Sequence, residues 1–388
     1  MNPKFALLLA AGMFAAAPMS NGQTYTGSVL YPLTMPGSLF SPTILGESAD
    51  QTVGYGNTSQ TGGYSHALLW TAAGAVDLNP TNLAGINASI ARGTNGTQQV
   101  GYGVGSETGG NEHAMLWTGT ADSAVDLNPT NLGITSSTAY ATDGADQVGE
   151  GLGDNTLDYD HALLWTGTAD SAVDLNPTNL NFIDSAAWGI NGNQQVGWGT
   201  ENVKGFPTHA LLWNGTSDSA VDLNPTQLGI VWSGAYGTDG DQQVGWGWES
   251  PNGFPEHALL WNGTAASAVD LNPSGSSYST ANATNGTYQV GWDTSSGSSY
   301  ELAALWSGTA GSAVDLQTLL PSTGNWVSSG AYDIDSSGNV YGVAGGTYDG
   351  FTGGFAVEWS PVPEPATGSL LLITGAGILM RRRRQQSA

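Results

Sequence analysis

Cysteine is absent from the 388 residues, and basic residues are scarce: seven Lys and Arg stand against 32 Asp and Glu. Without cysteine there is no disulfide framework and no thiol chemistry. Of the seven cations, Lys4 lies near the start and Arg381, Arg382, Arg383 and Arg384 near the end. Once Glu364 is set aside with them, Arg92 and Lys204 face 31 acids, a net charge near −29. Such a surface repels phosphate backbones, which need Lys and Arg to displace counterions, and this argues against nucleic acid as a partner. Charge of one sign also favours a soluble monomer. Between the two ends no apolar run has a 3.6-residue period long enough for a helix.

What is abundant is glycine, at 57 residues, and tryptophan, at 14. The segment His161 to Leu180 reads HALLWTGTADSAVDLNPTNL, and His113 to Leu132 repeats it with one letter changed. The tryptophan of this motif recurs at Trp70, Trp117, Trp165, Trp213, Trp261, Trp306 and Trp359, spaced by 47, 48, 48, 48, 45 and 53. Each is preceded by a QVG-like element. Four short runs per unit alternate with turn residues: SGAYGTDG (Ser233 to Gly240), QQVGWG (Gln242 to Gly247), HALLW (His257 to Trp261) and AVDLN (Ala268 to Asn272). Asn-Gly and Asp-Gly suit tight hairpins, and the proline after DLN ends pairing by removing a donor. Seven such units predict an all-β, seven-bladed β-propeller of four-stranded antiparallel blades over residues 23–360. The last unit has no fourth run, and GSVLYPL (Gly27 to Leu33) is an unpaired strand that could complete it and clasp the ring.

The ends predict export. Residues 1–22 place Lys4 before an apolar stretch from Phe5 to Ala17 and small residues at Ser20 and Gly22, a secretory signal helix. Residues 361–388 place Val362, Pro363, Glu364 and Pro365 before an uncharged segment, 366–380, and then Arg381 to Arg384. Fifteen helical residues reach about 22 Å, a short transmembrane helix aided by snorkelling arginines that stay on the cytoplasmic side.

This tail resembles the PEP-CTERM sorting signal of Gram-negative bacteria. The resemblance implies an exosortase-type membrane processing enzyme as partner, an exopolysaccharide-producing host, and delivery to the cell surface, outer envelope or extracellular matrix after a membrane-anchored stage. The order QxVGxG, HAxxW, turn and xDLN is similar to the HAF-type extracellular repeat, whose His slot is filled here by Leu302 and Phe355 in the last two units. That resemblance implies an exported propeller and names no activity.

His66, His113, His161, His209 and His257 share one slot. They are either metal ligands or, as the spacing favours, tethers to Asp77, Asp126, Asp174, Asp222 and Asp270 of their own units. Tyr55, Tyr102, Trp198, Trp246 and Trp292 repeat and are expected to pack blade on blade. Trp188, Trp232, Trp248 and Trp326 break the repeat and are the expected ligand surface, with Trp232 and Trp248 placed in or near loops. The segment DIDSSGN (Asp333 to Asn339) begins like a calcium loop, but Ala344 stands where a bidentate Glu is needed. It predicts a plain turn, with weak Ca²⁺ binding left to the acidic exterior and no other cofactor. No catalytic motif is present and no unit carries a conspicuous acid cluster, so the chain is read as a non-enzymatic structural or binding protein. A lectin-like propeller for extracellular polysaccharide is the alternative, and a propeller glycoside hydrolase follows it.

Overall fold

The structure, a computed structural model, describes residues 23–33, 43–48, 51–57, 61–249, 255–295 and 299–362. The signal segment 1–22, the span 366–380, Pro363 to Pro365 and Arg381 to Arg384 lie outside the described residues. Among the described residues no helix is long and apolar enough to cross a membrane. The flanking helices expected from sequence therefore fall outside what is described, and the regular structure that remains is strand and short 3₁₀ turn.

Among the described residues twenty-eight strands form seven four-stranded sheets, each an antiparallel meander. Blade one spans Thr43 to Asp77, blade two Ile86 to Asp126, blade three Ile134 to Asp174 and blade four Phe182 to Asp222. Blade five spans Trp232 to Asp270 and blade six Ser276 to Asp315. Blade seven takes its first three strands from Asn325 to Val362 and its outermost strand, Thr24–Pro32, from the other end of the chain. Thr24 pairs with Val362 and Pro32 with Phe355, so the N-terminal strand closes the ring. Val362, grouped above with the sorting signal, is thus also the last residue of this blade.

The first strand of every blade is innermost, since successive first strands contact one another around the ring, including Thr43–Ser48 against Asn325–Ile334. Each carries a β-bulge near its end. The bulge explains the glycine of QVG. A Cβ at Gly101, Gly149 or Gly197 would overlap the carbonyl oxygen of Ile90, Thr138 or Ala186 on the facing strand. Only glycine lets the second strand lie flat against a bulged partner.

The fourth strand is shorter than the sequence suggests. In blade five it is Val269–Asp270 rather than Ala268 to Asn272. Ala268 closes the preceding 3₁₀ turn, and the Asp270 carboxylate accepts the Asn272 amide (2.8 Å), turning the chain away from the sheet.

Blades are glued by the repeated tryptophans, each no more than 1% exposed. One cluster joins Val196, Ala210 and Leu212 of blade four, through Leu223 and Ile230 of the connection, to Ala235, Leu259 and Trp261 of blade five. The same cluster recurs between other neighbours, and truncating such a tryptophan to alanine costs about 3–5 kcal/mol. A four-stranded blade has two faces to bury, and only another blade can bury them.

Candidate functional site at the central channel

The repeated polar residues build the scaffold. All five histidines place Nδ1 2.7 to 2.9 Å from the Asp of their own blade, as the tether reading expects. The chain of bonds then crosses to the next blade. In blade four Asp222 accepts the Asn224 amide (2.8 Å), the Asn224 side chain accepts the Ser233 hydroxyl (2.8 Å), and Ser233 accepts the Ala210 amide (3.0 Å). Blade six keeps this chain with Gln317 in place of Asn and Leu302 in place of His. The Asp and Ser are the constant members, so the histidine is dispensable to the tether.

The variable residues converge elsewhere. The bulged residue of each first strand falls eight positions before the valine of QVG, and that column reads Leu45, Arg92, Tyr140, Trp188, Tyr236, Asn282 and Tyr332. A bulge leaves its extra residue out of the ladder and re-aims the side chain, here toward the axis that the innermost strands surround. The first five of these residues, from blades one to five, line one cavity of about 370 Å³. Sequence reasoning had named only Trp188 among them. The signal was present in the sequence as a column within a strand where the copies differ.

One wall of the site is aromatic. Trp188 stacks on Tyr236 with ring centroids 5.1 Å apart and planes 18° from parallel, and rests against Trp198 at 5.9 Å. Burial and the Glu256 charge push the Tyr236 hydroxyl up to about 12, and the nearby Trp246 indole opposes the rise. Trp246 contacts Trp248 at 4.8 Å, and Trp248 contacts Trp232 at 5.5 Å. Trp232 and Trp248 face each other in register as the first and last residues of their strands, beside the loops as expected. The Trp248 Nε1 donates to Glu256 Oε2 (2.8 Å), which fixes its plane. Three of the four tryptophans singled out in the sequence thus belong to one strip across blades four and five. Trp326 does not join them: it stacks on Tyr348 (5.6 Å), meets the edge of Phe355 (5.5 Å) and donates to the Pro321 carbonyl within blade seven.

The repeated aromatics do not pack blade on blade alone. Arg92 lies over the rings of Tyr102 (5.5 Å) and Tyr140 (5.1 Å), while Trp198 and Trp246 back the strip. The bulge brings the channel residue over the second strand, which the strict alternation used in the sequence reading does not include.

A group of acids adjoins the cavity at Tyr140. Glu150 stands where blades one, two, four, five and six carry Tyr or Trp, and it accepts the Tyr140 hydroxyl (2.5 Å). Burial pushes its carboxyl up to about 7, with the charges of Asp160 and Asp184 adding to the rise and the Tyr140 hydroxyl and Arg92 opposing it. Burial and the Asp160 charge push Asp184 up to about 6. The sequence suggested no acid cluster, since Glu150 and Asp184 come from strands of different blades, Asp160 precedes a third strand, and only the ring brings blades three and four together. The calcium-like segment is a turn, as expected: Asp335 accepts the Ser337 amide (2.8 Å) and both the amide and side chain of Asn339 (2.9 Å each), leaving its carboxylate committed.

No family model matches the chain, and no curated relative matches it. Solved propellers resemble it in fold. The β-propeller domain of the Trilobed protease from Pyrococcus furiosus superposes with a TM-score of 0.52 at 7% identity, covering 83% of this chain and 97% of that one. A Mycobacterium tuberculosis puromycin-hydrolyzing peptidase matches at 0.48 and 9% identity over 82% of this chain, which spans about half (52%) of that protein's length. An oligogalacturonate lyase from Vibrio parahaemolyticus matches at 0.44 and 11% identity, covering 90% of this chain and 97% of that one. The Pyrococcus domain has an open velcro topology, whereas here Thr24–Pro32 closes the last blade. At these identities the likeness is one of fold, and the fold of this chain is an all-β, seven-bladed propeller.

Proposed function

We propose that this chain is an exported binding protein of a Gram-negative cell surface or extracellular matrix, delivered through its PEP-CTERM-like tail by an exosortase-type enzyme. Its ligand is an extracellular polysaccharide of low charge, held at the central channel. One observation carries the reading: the columns that hold blades together repeat, while the channel column varies and supplies an aromatic wall, with the Glu150 carboxyl bonded to the Tyr140 hydroxyl beside it. Sugar rings present an apolar face for stacking and hydroxyls for polar contacts, and the aromatic wall with the adjoining carboxyl and hydroxyl matches both. The net acidity of the chain argues against a polyanionic ligand.

Glycan-array screening and titration of the purified chain against the host's exopolysaccharide test the reading. The expected result is binding that Trp188→Ala weakens about tenfold or more, equivalent to about 1.4 kcal/mol, with the melting temperature little changed. Binding to no glycan, or equal binding by the variant, overturns it. A second reading, glycoside cleavage, is favoured by Glu150 holding its proton near neutrality beside Asp184, the pairing of acid and carboxylate such chemistry uses. Release of new reducing ends by the chain and not by Glu150→Gln would replace binding with cleavage.

A further inference from the structure

We propose that Glu201, His209 and Asp222 form a site for one divalent first-row transition-metal ion on blade four, apart from the channel. The three come from successive strands of that blade: the end of Gln194–Glu201, the start of Thr208–Trp213, and Val221–Asp222. Each offers one ligand atom, and these atoms all lie within 4.8 Å of one another. A tetrahedral zinc ion with bonds near 2.1 Å needs ligand atoms about 3.4 Å apart. Closing the difference takes side-chain movement within the group.

The repeat supplies its own controls. Five blades carry the same His and Asp pair, yet among the described residues only blade four brings a third ligand within reach. The position of Glu201, five residues after the valine of QVG, is Gly105 in blade two and Gly153 in blade three. Blade five has Glu249 there, whose charge reaches His257 without completing a ligand group. Glu201 is therefore an addition to the tether.

The chemistry of the set selects the ion. Two carboxylates balance a double positive charge, and the imidazole favours zinc, nickel or copper over calcium and magnesium, which prefer oxygen. The Phe182 ring lies edge-on to the His209 ring at 6.0 Å. His209 is 12% and Asp222 38% exposed at the side chain, so the site opens to water and an ion can enter.

Isothermal titration of the chain, purified without a histidine tag, with zinc chloride at pH 7.5 tests the proposal. One ion per chain is expected, with affinity reduced at least tenfold in Glu201→Gln and unchanged in Glu249→Gln. Imidazole NMR signals of one histidine in five should move on addition of zinc. No uptake, uptake of several ions per chain, or a Glu201→Gln variant that binds as the parent does would each overturn it. A matching circular dichroism spectrum for the variants keeps a folding defect from mimicking the expected loss.

Discussion

Replacing Glu150 by glutamine should stabilise the propeller above neutral pH and leave it unchanged near pH 4. Its carboxyl is pushed from an ordinary 4.5 up to about 7, chiefly by burial. The folded chain therefore keeps a proton that the unfolded chain releases between those two values. Wherever the folded state binds more protons, stability falls as pH rises. The loss begins above about pH 4.5 and is complete above about pH 7. At about 1.4 kcal/mol per pH unit, the full shift is worth about 3 kcal/mol. Part of the slope is shared with Asp160 and Asp184, which titrate with Glu150, so the single replacement should recover about 1–3 kcal/mol. Glutamine keeps a carbonyl to accept the Tyr140 hydroxyl, which separates the charge from the hydrogen bond. Urea unfolding of parent and variant at steps from pH 4.5 to 8.5 reads the effect. Curves that stay parallel across that range would refute the reasoning.

Two further perturbations probe the frame around the site. Gly197→Ala should destabilise the chain by about 1–3 kcal/mol, because its Cβ meets the Ala186 carbonyl of a bulged strand that cannot retreat, and chemical denaturation measures it. Deleting Thr24 to Leu33 removes the buried side chains of Tyr25, Tyr31 and Leu33 and bares the edge of Phe351–Val362. At about 1.5–3 kcal/mol per buried side chain the loss is about 5 kcal/mol or more, and differential scanning calorimetry should show a melting temperature lower by about 10 °C or more.

The HALLW tryptophan and QVG glycine were legible as packing because they persist where the histidine does not. Leu302 and Phe355 replace it while Trp306 and Trp359 stay fully buried. The pairing of each histidine with its aspartate was legible too, since both lie in one repeat and a hairpin joins them. The closing strand was legible as a missing fourth run at one end and a spare run at the other. The bulge was not, since a strict two-residue alternation assigns every strand residue to one of two faces and leaves none for the axis. Trp188 was singled out for its residue type, and its neighbours Arg92, Tyr140 and Tyr236 were passed over although they share its column.

The sequence by itself determined the number of blades, their four strands, the tethers within each unit and the way the ring closes, because all of these rest on local pairing and on a period that can be counted. The tertiary structure alone decided which residues meet at the axis. Leu45 and Tyr236 are 191 positions apart yet line one cavity, and Glu150, Asp160 and Asp184 share a field only because blade three abuts blade four. A repeat makes every blade geometrically alike, so identity at the channel is free of the packing constraint, and what converges there depends on ring closure.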